Sequence, residues 1–99
     1  MILCVASLWI RPGGQAGFEA AYEKAQRLLV QQQGYLSHEL QQSVEREHYY
    51  VLLIEWRALE DYTLGLQNSE VFLRWGELLR SHLSEPPHVE HFRTVRSLR

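Results

Sequence analysis

Two of the five histidines occupy positions where an imidazole can be put to work near neutral pH. His38 alternates with Leu36 and Leu40, while Ser37, Glu39 and Gln41 fall between them. This period of two marks a half-buried strand and turns the His38 ring toward the apolar side. There it can act as a base, or sit as a core histidine satisfied by a backbone partner. His91 shares a face with Val89 by the same parity and has the same two roles open to it. His88 and Glu90 fall on the opposite face from His91, so this short string cannot converge on one metal ion. His48 and His82 lie among polar neighbours and are expected at the surface. Trp75 recurs at helical spacing with Phe72, Leu79 and Leu83, a stripe that serves as core or as the wall of a pocket. The sequence contains no phosphate-cradling glycine loop and no serine-nucleophile motif.

The elements that must hold these side chains can be delimited from pattern alone. Residues 2–10 are an apolar run ended by Arg11-Pro12-Gly13-Gly14, which predicts a strand buried on both sides. Residues 15–33 have helical period, with Phe18, Tyr22, Ala25 and Leu29 on one stripe and Gly34 expected at the C′ position. Residues 36–41 and 48–56 read as two strands of a hairpin, turning at Glu45-Arg46-Glu47. Residues 58–66 predict a short helix. Asn68 or Ser69 caps the next one, which Glu85-Pro86-Pro87 stops, and residues 88–95 form the last strand. The order β-α-β-β-α-β predicts an α+β, ferredoxin-like fold: a four-stranded antiparallel sheet with the helices on one face. In that topology His38 and His91 stand at opposite sheet edges, about 14 Å apart at three strand spacings. Two ligands of one ion lie about 4 Å apart, so no native metal site is expected. The other sheet face would lie bare, and a second copy in a two-fold dimer is the simplest cover.

Composition narrows the partners. The 99 residues suit a single domain, 1–99, with a thin core. Ten basic and twelve acidic side chains give a net charge of −2, which offers no basic excess for nucleic acid. Cys4 is the lone cysteine, so no intrachain disulfide can form, which suits a reducing cytoplasm. It sits within an apolar run and is expected to be a buried, inert thiol. The apolar start is too short to span a bilayer, and no membrane association is expected. The aromatic share of 11% is enough to line a pocket or an interface.

Several short strings sharpen this picture. Trp9-Ile10-Arg11-Pro12-Gly13, Phe18-Glu19, Gly34-Tyr35-Leu36, Leu53-Ile54-Glu55-Trp56, Leu59-Glu60-Asp61-Tyr62 and Pro87-His88-Val89-Glu90-His91-Phe92 recur in this order in the antibiotic-biosynthesis monooxygenase family. The sequence resembles that family over residues 2–95. The resemblance implies a homodimeric α/β barrel, with sheets packed face to face and a flat aromatic or quinone-like ligand held between sheet and helices. It also implies oxygenation with O2 and no metal, flavin or haem; other members oxidise quinols or degrade haem. Trp56 and Tyr62 match the tryptophan–tyrosine pair of a polyketide-modifying member. That member's asparagine corresponds to Leu52 here, and its arginine falls near Gly76, with Arg74 two residues away. The haem-degrading subgroup's asparagine, tryptophan and histidine correspond to Ala6 or Ser7, Leu66 and Gly76, none of which match.

Metal-free oxygenation requires a substrate that ionises to an electron-rich anion able to pass an electron to O2. The protein must hold the ring, take a proton and exclude water. On the resemblance, Tyr62 is expected to hydrogen-bond a phenol or enolate oxygen, or to be an amphipathic core tyrosine. His38 or His91 is expected to handle the proton, with Trp56, Trp75 and Phe72 as walls. The sequence therefore predicts a cofactor-independent monooxygenase acting on a small aromatic, phenolic or quinol substrate. The alternatives are a non-catalytic ligand-binding or stress-response barrel and a haem-binding protein.

Overall fold

A computed structural model describes residues 1–98. Four strands form one antiparallel sheet: β1 (Ile2–Trp9), β2 (Tyr35–Gln42), β3 (Tyr49–Trp56) and β4 (His88–Phe92), in the spatial order β2-β3-β1-β4. Helix α1 (Gln15–Leu29) links β1 to β2. A π-helical segment (Asp61–Leu66), helix α2 (Glu70–Leu79) and a 3-10 turn (Arg80–His82) link β3 to β4. This is the ferredoxin-like α+β arrangement that the element order predicts.

Alternation along the two central strands assigns the faces. Cys4, Ala6 and Leu8 of β1 and Tyr50, Leu52, Ile54 and Trp56 of β3 are buried, and they pack with Phe18, Tyr22, Ala25 and Leu29 of α1 in one core. The intervening residues Leu3, Val5, Ser7, Tyr49, Val51 and Leu53 are only half-buried. Strand β1 is therefore covered on one side in the single chain, not on both. The thinnest dimension of the molecule, 19 Å, has room for one sheet and one helical layer. On the uncovered face the Trp9 and Tyr49 rings stack at 4.1 Å between centroids, and the Arg46 guanidinium lies 5.1 Å and 5.0 Å from them.

Several boundaries differ from the sequence expectation for identifiable reasons. Helix α1 stops at Leu29, where its buried stripe ends, and residues 30–33 form polar turns. Gly34 is not its C′ residue. It has φ +83° and turns the chain into β2, and a Cβ there would fall inside the Asp61 carboxylate. Strand β4 ends at Phe92, which pairs with Leu3 near the start of β1. A bulge between Tyr35 and Ser37 leaves Leu36 out of register and exposed. The residue that shares the inner face with His38 and Leu40 is thus Tyr35. Ser69 does cap α2, its hydroxyl accepting from the Phe72 N–H at 3.3 Å.

Candidate active site

A cavity of about 300 Å³ lies between the inner sheet face and the second helical layer. Its floor is Cys4, Ala6 and Leu8 of β1 with Leu52 and Ile54 of β3, residues brought inward by strand alternation. Its roof is Leu66, Phe72, Trp75 and Leu79, and Val89 of β4 closes one side. The lining is almost wholly apolar. Besides the Trp75 indole, its polar side chains are Tyr62, Cys4 and Arg80. A small, largely apolar space with a few placed polar groups is the usual form of a small-molecule site.

Tyr62 is delivered by the π-helical turn, in which the Gln67 N–H donates to the Tyr62 carbonyl at 2.8 Å, five residues back. The wider turn points both Tyr62 and Leu66 inward. Asp61 anchors the segment: its carboxylate accepts from the Ala58 N–H at 3.1 Å and rests against Gly34. The Tyr62 hydroxyl has no hydrogen-bond partner among the described residues. Burial, reinforced by the nearby Cys4 thiol, pushes its pKa above the ordinary value. At neutral pH it is a protonated phenol and hence a hydrogen-bond donor. Burial likewise pushes the Cys4 thiol up to about 11, so Cys4 faces the cavity as an unreactive thiol.

The remaining candidates fall along a chain of rings. His91 lies against Tyr62, with 4.5 Å between centroids; Trp56 is 6.3 Å from Tyr62, and Tyr35 6.4 Å from Trp56. Tyr35 leads to His38, and His38 to Tyr22 at 6.1 Å. The structure thus brings Tyr62, Trp75 and Phe72 together at the cavity. His91 and Trp56 stand behind Tyr62, outside the lining, and Trp56 is fully buried. His38 lies elsewhere, beneath α1 on edge strand β2, opposite the β4 edge that carries His91. The Tyr35 hydroxyl bonds its Nδ1, and its Nε2 is 2.9 Å from Gln26 Oε1. Since that amide oxygen only accepts, the proton sits on Nε2 and Nδ1 accepts from Tyr35. Burial lowers the pKa of both histidines, leaving them neutral. His91 differs from His38 in that its Nε2 is buried without a partner. His88 and Glu90 pair with Ser7 and Val5 and face the other way, as parity predicts.

Gly76, near which the family oxygenase's arginine falls, lines the cavity, and so do Cys4 and Arg80, which the sequence reading did not place there. Cys4 could have been found from its parity with Ala6 and Leu8. Arg80 reads as a solvated charge at a helix end.

Sheet order, helices on a single face and an apolar hollow between the layers define a ferredoxin-like α+β protein with an internal cavity. The chain belongs to the antibiotic biosynthesis monooxygenase family, whose sequence profile matches residues 1–78. It is 37% identical over 95 residues to the uncharacterized protein YczJ of Bacillus subtilis, covering 96% of this chain and 100% of that one. A Bordetella bronchiseptica protein provisionally designated an antibiotic biosynthesis monooxygenase superposes with a TM-score of 0.91 at 29% identity, over 96% of this chain and 97% of that one. SnoaB, a cofactor-independent oxygenase from Streptomyces nogalater, superposes with a TM-score of 0.86 at 18% identity, over 98% of this chain and 95% of that one. At that identity the likeness concerns the fold. No described helix is long and apolar enough to cross a membrane.

Proposed function

We propose that the chain, acting as one domain over residues 1–99, is a cofactor-independent monooxygenase of small aromatic, phenolic or quinol substrates. The observation that carries this is the Tyr62 hydroxyl, an unpartnered donor facing a ring-sized apolar cavity in a member of a monooxygenase family. Tyr62 donates a hydrogen bond to the substrate oxygen and stabilises the anion formed on deprotonation. His91, neutral, with Nε2 unpartnered and its ring against Tyr62 behind the lining, receives the proton by way of the Tyr62 hydroxyl. His38, with both ring nitrogens engaged, holds α1 to β2 and is secondary to them. Phe72 and Trp75 clamp the ring, and Trp56 backs Tyr62. The anion passes an electron to O2 and the two radicals combine at carbon. Loss of water then leaves a carbonyl, with one oxygen atom in the product and the other in water. The apolar walls keep bulk water from the anion.

In the same proposal two copies pair through the uncovered sheet face in the cytoplasm, making a dimeric barrel. Half-buried Val5, Val51 and Leu53 support that pairing. Oxygen uptake with hydroquinones and anthrones tests the activity. Wild type turns over, and Tyr62→Phe loses about tenfold or more of the rate, as expected for one charge-stabilising hydrogen bond. No uptake by wild type, or equal rates in the variant, refutes it. Leu52 and Gly76, where a family oxygenase carries asparagine and arginine, favour a second function: ligand binding without turnover. That function would show as thermal stabilisation by a phenol with no oxygen consumed.

A further inference from the structure

A second space of about 270 Å³ adjoins the cavity and is lined by Arg11, Ser84, Glu85 and Pro86. Arg80, Leu83 and Pro87 line both spaces, so the apolar hollow and this second space, a vestibule that carries two guanidinium groups, meet at a shared margin. The vestibule is built on fixed backbone. The Arg11 N–H donates to the His82 carbonyl at 3.0 Å, the Ser84 N–H to the Trp9 carbonyl at 2.8 Å, and Arg11 Nε to the Ser81 carbonyl at 2.9 Å. Arg11 is thereby pinned with its two terminal nitrogens left over. Arg80 folds back along α2 until one terminal nitrogen lies 2.9 Å from where a Cβ of residue 76 would be. Glycine at 76 leaves the guanidinium room to rest at the cavity margin, where a Cβ would press on it.

Neither arginine is paired. Glu85 is the one carboxylate of the vestibule, yet Arg57–Asp61 is the only ion pair among the described residues. An aromatic ligand filling the hollow would leave its polar substituent at this opening. Two forked cations there match a planar carboxylate, which accepts paired hydrogen bonds.

Building on the cavity as the substrate site, we propose that Arg80, with Arg11 beside it, selects aromatic ligands bearing a carboxylate arm: rings under Trp75, arm in the vestibule. The two spaces meeting at Arg80 carry the inference.

Calorimetric titration of the full-length protein with 2-naphthoate and its neutral isostere 2-naphthamide tests it. Wild type is expected to bind the acid about tenfold more tightly, a preference that shrinks with added salt. Arg80→Gln should bind both compounds with the amide's affinity. Gly76→Ala keeps the charge but displaces it, and should lose most of the preference. Equal affinities in wild type, or an undiminished preference in Arg80→Gln, overturn the proposal. If neither compound binds, the cavity as ligand site falls with it. An acid preference without oxygen uptake would sink the oxygenase function and leave the selectivity standing.

Discussion

Replacing Gly34 by alanine probes the joint that holds Tyr62 in place. At φ +83° an L-residue is disfavoured by about 1–2 kcal/mol. The new methyl would also occupy the position of the Asp61 carboxylate. Asp61 must then swing away and release the Ala58 N–H, a capping interaction of about 1 kcal/mol. The Arg57–Asp61 pair, at 3.9 Å with Arg57 exposed, adds little. The expected loss is about 2–3 kcal/mol, which for a domain of this size lowers Tm by about 10–20 °C. Thermal unfolding monitored by far-UV circular dichroism, at equal protomer concentration, reads it directly. Asp61→Ala supplies the control. With the carboxylate gone the methyl meets less, so the double variant should be less destabilised than the two singles together, by about 1 kcal/mol. A Tm within 2–3 °C of wild type, roughly half a kcal/mol, or strict additivity in the double variant, would show that Gly34 and Asp61 do not hold the π-helical turn.

Two further outcomes are expected. Both His38 and His91 have pKa values lowered by burial from the ordinary 6.5. The unfolded chain therefore binds more protons than the native one below that value, and stability should fall as pH drops through 6.5 toward the lowered native values. Urea titrations across this range should show the slope, and a His38→Gln/His91→Gln double variant should flatten it; an unchanged slope assigns the effect to other groups. Leu53→Glu places a charge in the middle of the uncovered sheet face, where Leu53 pairs with Val5 and Glu39. If two copies pair through this face as proposed, it should convert the dimer to a folded monomer in sedimentation velocity, and a variant that still sediments as a dimer would place the interface elsewhere.

Much of the scaffold was legible because strand parity and helical stripes are local. Tyr22 and Leu29 on α1, the Ser69 cap and the opposed orientations of His88 and His91 come from spacing alone. What escaped depends on irregular backbone or on proximity across the fold. The bulge at Leu36 resets parity, so Tyr35, not Leu36, shares the face with His38. The five-residue hydrogen-bond step after Tyr62 has no signature in residues that read equally well as an ordinary helix. Arg80 acquires meaning only because Gly76, four positions earlier, is bare and Pro87 returns alongside. The apolar run of β1 by itself reads as buried on both sides, and only the element order, with its helices on one face, shows that a single chain covers one of them.

The π-helical turn also decides which side chains of its own segment look into the cavity, Tyr62 and Leu66 as it stands. Deleting one residue between Asp61 and Leu66 would tighten the turn to the ordinary four-residue step. A different side chain would then stand where one of these two now points, while the sheet below stayed as it is. Insertions and deletions at this one turn are thus a route by which chains sharing the same sheet can exchange one ligand chemistry for another.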